Sequence, residues 1–200
     1  MIKYLSNKVL QYLIMNNAIN DDEDQCLFYS YSIEITISSL LNIIIILVLS
    51  IITNSLILGI SFLLTFIPIR QFTGGYHAKT YFRCNFTFAV CYILTLAICK
   101  ITYNCTFYIS ILLFVIELIF IILYCPIVNK NKPIDSKKKC IKLKSTAFCM
   151  YLLYWSVGMY LFKYKAIELG YMIICTLYSV TMLGIVAKLE KGEKQNEEKC

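Results

Sequence analysis

Apolar residues in this chain run in long blocks. Six stretches, at about residues 27–50, 54–69, 82–101, 106–125, 146–163 and 168–187, are separated by short polar breaks. Each comes near the about 17–25 residues that a helix needs to cross hydrocarbon. The pattern predicts an all-α integral membrane protein of about six transmembrane helices. Only Thr53-Asn54 parts the first two spans, so they should form a tight antiparallel hairpin. Ahead of them, Ile2, Leu5, Val9, Tyr12 and Leu13 recur near helical spacing among Lys3, Ser6, Asn7 and Gln11. That predicts an amphipathic helix within residues 1–20, either lying at the membrane surface or packing its first turn inside the bundle. These twenty residues hold neither a continuous apolar core nor a small-residue cleavage site, so they do not read as a signal peptide. The expected organisation is one membrane domain over 1–200: amphipathic helix 1–20, transmembrane bundle 27–187, cytoplasmic tail 188–200.

Composition sharpens the class. The chain is 59% hydrophobic with a mean hydropathy of +0.69, against about 45–50% apolar residues in soluble domains. No polar block is long enough for a separate soluble domain. The net charge of +7 follows orientation. The segment Asn129–Lys144 carries seven lysines against one Asp, which assigns it to the cytoplasmic side. With six spans, the N-terminus, the Arg70–Arg83 segment and the tail then share that side. Thr53-Asn54, Thr102–Cys105 and Lys163–Ile167 face outward, and only the lysines of the last run against the rule. Anionic lipid accounts for the remaining positive charge. Nothing calls for nucleic acid: there is no aromatic–basic alternation and no nucleotide-binding glycine loop. The ten cysteines show no CxxC spacing, and most sit in apolar runs, where Cys acts as a small hydrophobe.

One polar stretch interrupts the oil: Arg70-Gln71-Phe72-Thr73-Gly74-Gly75-Tyr76-His77-Ala78-Lys79-Thr80-Tyr81-Phe82-Arg83-Cys84, with the chain's single histidine seven residues before a cysteine. It can be read as a plain connection, with glycines for the turn and cations at the inner interface. It can also be read as a reactive site. A thiol becomes a nucleophile as thiolate, and a neighbouring base or cation promotes that form. In one continuous helix His77 and Cys84 would share a face but stand about 10.5 Å apart along the axis. If His77 activates Cys84, the helix must therefore begin after His77 and the loop must fold back, which Gly74-Gly75 permits. Arg70, Lys79 and Arg83 add positive potential. A metal site is disfavoured: His77, Cys84 and Cys91 at seven-residue spacing cannot converge on one ion in a straight helix, and no other His exists.

The pattern R-x-x-x-G-G-x-H-A-x-x-x-x-x-C from Arg70 to Cys84 resembles the signature of the accessory gene regulator protein B (AgrB) family, bacterial membrane cysteine endopeptidases of peptide quorum sensing. Tyr31-Ser32-Ile33-Glu34, the basic Asn131-Lys132-Pro133-Ile134 and the total length agree. Ser32 departs from the glycine of many relatives, which bears on helix packing. The resemblance implies Cys84 as nucleophile and His77 as general base, with Arg70 and Gly75 shaping the loop or holding substrate. It implies a precursor peptide (AgrD-like) cut on the C-terminal side of its signalling segment through a Cys84 thioester. An internal Cys or Ser of the precursor then closes a thiolactone or lactone. The expected location is the bacterial cell membrane, with the site near its cytoplasmic face. No cofactor or metal is required, since thioester exchange onto a thiol needs no ATP. Lys79 is a candidate oxyanion donor. Glu34 either orients His77 or faces headgroups. Glu117, alone in the fourth span, needs a partner on another helix or a second subunit, so a homodimer joins the precursor and lipid as an expected partner. A membrane peptide exporter or structural subunit shares the hydropathy pattern and differs in not needing Cys84.

The orientation is testable by accessibility labelling of introduced cysteines. Positions 137–139 should label only from inside and position 54 from outside. Outside labelling of 137–139 would overturn the six-span arrangement.

Overall fold

Each apolar block folds as one helix, because hydrocarbon offers no partner for backbone polar groups and a helix satisfies them internally. The computed structural model describes residues 2–16, 18–19, 22–73, 80–102, 107–126, 137–164 and 166–197. Among these the chain forms α1 (Ile2–Met15), α2 (Glu23–Ile52), α3 (Leu56–Thr73), α4 (Tyr81–Thr102), α5 (Phe107–Tyr124), α6 (Lys137–Lys163) and α7 (Ile167–Glu197). Five helical stretches are long and apolar enough to cross a membrane: Gln25–Ile52, Leu56–Thr73, Tyr81–Ile101, Cys140–Lys163 and Ile167–Leu189. The apolar part of α5, Ser110–Tyr124, is shorter. The protein is thus an all-α, multi-pass membrane protein with an additional N-terminal helix. The helices overrun the apolar blocks. Helix α6 begins at Lys137, inside the stretch read from sequence as a lysine loop, and α7 continues to Glu197. Lysine and glutamate are good helix formers once a turn exists to extend.

Helix α1 packs against α2. Its buried Ser6 donates a hydrogen bond to the Ser30 carbonyl at 3.0 Å. Leu5, Val9 and Tyr12 remain exposed, so the apolar stripe faces away from the protein. The α2–α3 hairpin is as tight as expected. Asn54 takes a positive φ of 51°, the Ser55 amide reaches the Ser50 carbonyl and the Asn54 amide reaches that of Ile51. This is a Schellman closure with Asn in the left-handed position usually taken by glycine.

Helix α7 is the hub, packing against α3, α4, α5 and α6, while α3 also meets α2, α4 and α6. Between membrane helices, close packing and hydrogen bonds replace the hydrophobic drive. Gly158 and Gly170 let α6 and α7 nearly touch: a Cβ on Gly170 would lie 2.4 Å from the Gly158 carbonyl oxygen. Phe62, Phe66, Phe88 and Tyr92 join α3 to α4, with ring centroids 4.8–5.6 Å apart. Each such pair contributes about 0.5–1.5 kcal/mol beyond burial. Helix α5 has no basic residue in its own last turn. Lys144 of α6 instead donates to the Ile122 carbonyl, and Lys188 of α7 sits over the Tyr124 ring. Cations there complement the negative helix end.

Pro68 lies inside α3. Its missing N–H leaves the Leu64 carbonyl without its helical donor. Tyr154 of α6 fills the gap, donating its hydroxyl to the Leu64 carbonyl at 2.7 Å. The bond secures α3 just before the turn that carries Arg70. Replacing Tyr154 with Phe should lower stability in detergent by about 1 kcal/mol. In the Pro68→Ala background, where a backbone N–H can reach Leu64, the same replacement should cost little. Equal losses in both backgrounds, measured by denaturant unfolding, would show that the phenol does not serve this carbonyl.

Candidate active site

Three elements meet at one end of the bundle: the last turn of α3, the first turn of α4, and the stretch of α2 opposite it. Gly75, His77 and Lys79 lie in the 74–79 segment, outside the described residues. The readings that rest on them, including any contact between His77 and Cys84 or Glu34, fall there too, as does Asn131-Lys132-Pro133-Ile134. Arg70, Cys84 and Glu34 are described.

Helix α4 starts at Tyr81, four residues after His77 in the chain. The condition derived from the His–Cys spacing, a helix beginning beyond the histidine, is therefore met. Thr80 caps this start: its Oγ1 accepts from the Arg83 amide at 3.3 Å, and its carbonyl accepts the first helical bond, from the Cys84 amide at 3.1 Å. A threonine directly before an apolar helical run is an N-terminus signal that the sequence already carried. Cys84 thus stands in the first turn of α4 as a half-buried free thiol.

Helix α2 fastens this turn from the side. The Glu34 carboxylate is within hydrogen-bonding reach of the Tyr81 hydroxyl, with Tyr31 beside it. One turn further on, the Ser38 hydroxyl donates to Asn85 Oδ1 at 2.9 Å. The two rungs pair residues 34 and 38 with 81 and 85, the four-residue step of one helix face, and they bracket Cys84. Tyr81 and Asn85 were not singled out from sequence, because nothing in their local pattern distinguishes them from other polar residues near a helix end.

Arg70 is half-buried in the last turn of α3. Its guanidinium lies 5.6 Å from the centre of the Phe66 ring, within cation–π range. Its charge acts on the Cys91 thiol. Cys91 lies two turns along α4 from Cys84 and on the same face. Among the described residues no group of three or more His, Cys, Asp or Glu could hold a metal ion.

The accessory gene regulator B family model matches residues 6–186. The chain is 31% identical over 164 residues to an AgrB-like protein of Clostridium beijerinckii, covering 78% of this chain and 79% of that one. It is 23% identical over 190 residues to an AgrB-like protein of Clostridium perfringens strain SM101, covering 92% and 84%. Over 83 residues it is 32% identical to the accessory gene regulator protein B of Staphylococcus intermedius, covering 41% and 44%. No solved structure matches the chain.

Proposed function

The chain belongs to the accessory gene regulator B family, and from that premise we propose that it is a membrane-embedded cysteine endopeptidase that processes a quorum-sensing precursor peptide. Cys84 is the nucleophile and His77 its general base. The observation that carries this reading is the start of α4 at Tyr81, which leaves Cys84 in a capped first helical turn beyond the histidine.

The reaction balances without a cofactor. His77 takes the Cys84 proton, and the sulfur attacks the scissile carbonyl. The C–N bond breaks, and the amine of the departing C-terminal fragment takes the proton from His77. This leaves the signalling segment as a thioester on Cys84. A cysteine thiol, or serine hydroxyl, within the same precursor then attacks. It loses its proton to His77, the thiolactone or lactone closes, and Cys84 leaves as thiol. Water would divert the thioester, so a partly dry site at the inner interface favours cyclisation. Arg70, Lys79 and the Gly74–Ala78 backbone amides are the candidate charge stabilisers. Glu34 contributes by holding Tyr81, and with it the turn that carries Cys84.

The decisive experiment is co-expression with the cognate precursor. Cys84→Ala and His77→Ala should each abolish cleavage while membrane abundance is unchanged. Normal processing by either variant would return the protein to the exporter or structural class. A second comparison concerns substrate capture. A precursor with an acidic tail would be drawn to cations on this face. Of the described cations within the motif, Arg70 is half-buried and Arg83 exposed. Arg70→Gln should therefore reduce cleavage more than replacing Lys137, Lys138 and Lys139 together, at equal protein level. The opposite order would make the α6 lysines the docking surface.

A further inference from the structure

The turn of α4 that carries Cys84 is held unevenly. Just below it Phe88 is buried, with its ring against Phe62 and Phe66 of α3. Within the turn, Phe82 and Phe86 are 79% and 61% exposed, and Arg83 is exposed too. The side chain next to Cys84 does reach a neighbouring helix. Asn85 Oδ1 accepts from the hydroxyl of Ser38 on α2 at 2.9 Å, and Ser38 is buried.

A hydroxyl inside a membrane helix has a local acceptor at hand, the carbonyl one turn back. Ser32, Thr36 and Ser39 of the same helix use it, donating to the carbonyls of Phe28, Ser32 and Ile35. Ser38 donates across to α4 instead, so its bond records how the two helices meet. Asn85 directly follows Cys84 in the chain, and their side chains leave the helix about 100° apart. Fixing Asn85 against α2 therefore fixes the direction in which the thiol points. The ring contacts of Phe88 anchor the helix about 6 Å deeper than Cys84. Without the bond to Ser38, the first turn can rotate and tilt about that deeper anchor.

We infer that Ser38 and Asn85 are positioning residues for the peptide-cleaving reaction. Their bond sets the rotation of the first turn of α4, and with it the line along which the Cys84 sulfur meets the scissile carbonyl. The inference rests on the proposed role of Cys84 as nucleophile. Neither residue touches the reacting atoms, so the effect belongs to turnover and not to substrate binding. A misplacement of about 1 Å costs about 10²-fold in rate. The bond can be removed from either end without stranding a deeply buried group. With Asn85 truncated, the Ser38 hydroxyl has the Glu34 carbonyl one turn back, as its neighbours on α2 do. With Ser38 truncated, the Asn85 amide is only half-buried.

Steady-state cleavage of the cognate precursor by the full chain in lipid vesicles tests it. Ser38→Ala and Asn85→Ala should each lower kcat roughly 10–100-fold, with KM kept within about twofold. The double variant should lose no more than either single one, because all three lack the same bond. Alkylation of Cys84 by iodoacetamide, followed by peptide mass spectrometry, should keep its rate throughout, since a small neutral reagent needs no fixed line of approach. Additive losses, an unchanged kcat, or alkylation that falls in step with kcat would each overturn the inference. Cleavage by a Cys84→Ala protein would remove the nucleophile assignment and this inference with it. Cleavage that needs Cys84 but ignores Ser38→Ala would leave that assignment standing and sink the positioning role alone.

Discussion

A polar group inside hydrocarbon must find its partner inside the protein, and the arrangement of these helices follows from that constraint. Many Ser and Thr hydroxyls within the spans turn back onto a carbonyl of the preceding turn, as Thr95 does to Cys91, Thr176 to Met172 and Thr181 to Leu177. Some groups also bring a second helix with them. Leu64, deprived of its donor by Pro68, draws Tyr154 from α6. Thr95 meets Ser179 of α7 at 2.6 Å. Glu117 meets Tyr151. Each demand selects one neighbour, so local polar chemistry becomes helix order.

The same constraint prepares the candidate active site. A helix start is rich in unpaired amides, and Thr80 with the first turn of α4 satisfies part of that need. What is left is a fixed positive potential beside Cys84. Helix α2 then holds the turn in place through Glu34 and Ser38. The Glu34 carboxylate, which the sequence allows either to orient His77 or to face headgroups, is engaged with Tyr81. Its influence on the thiol runs through the position of the helix. Arg70, held over the Phe66 ring, is close enough to α4 for its charge to act at Cys91. Cys84, Arg70 and Glu34 thus come from three helices, and the candidate site depends on their packing.

Much of this was legible in the order of residues. The apolar blocks set the number and approximate limits of the helices, because span length is dictated by bilayer thickness and by helical rise. Thr53-Asn54 announced the tight hairpin. The single histidine seven residues from Cys84 dictated that α4 begin between them if the two cooperate, and it begins at Tyr81. The Arg70–Cys84 motif carried the family. Tertiary structure alone decided which polar side chains meet. Tyr81, Asn85, Tyr151 and Tyr154 look like ordinary residues of apolar runs, and their partners lie far off in sequence. Glu117 was visible as an isolated acid, but its phenol was not. The reason is geometric: periodicity fixes which residues share a face of one helix, whereas a hydrogen bond between helices depends on their rotation, depth and crossing, which only the packed bundle supplies.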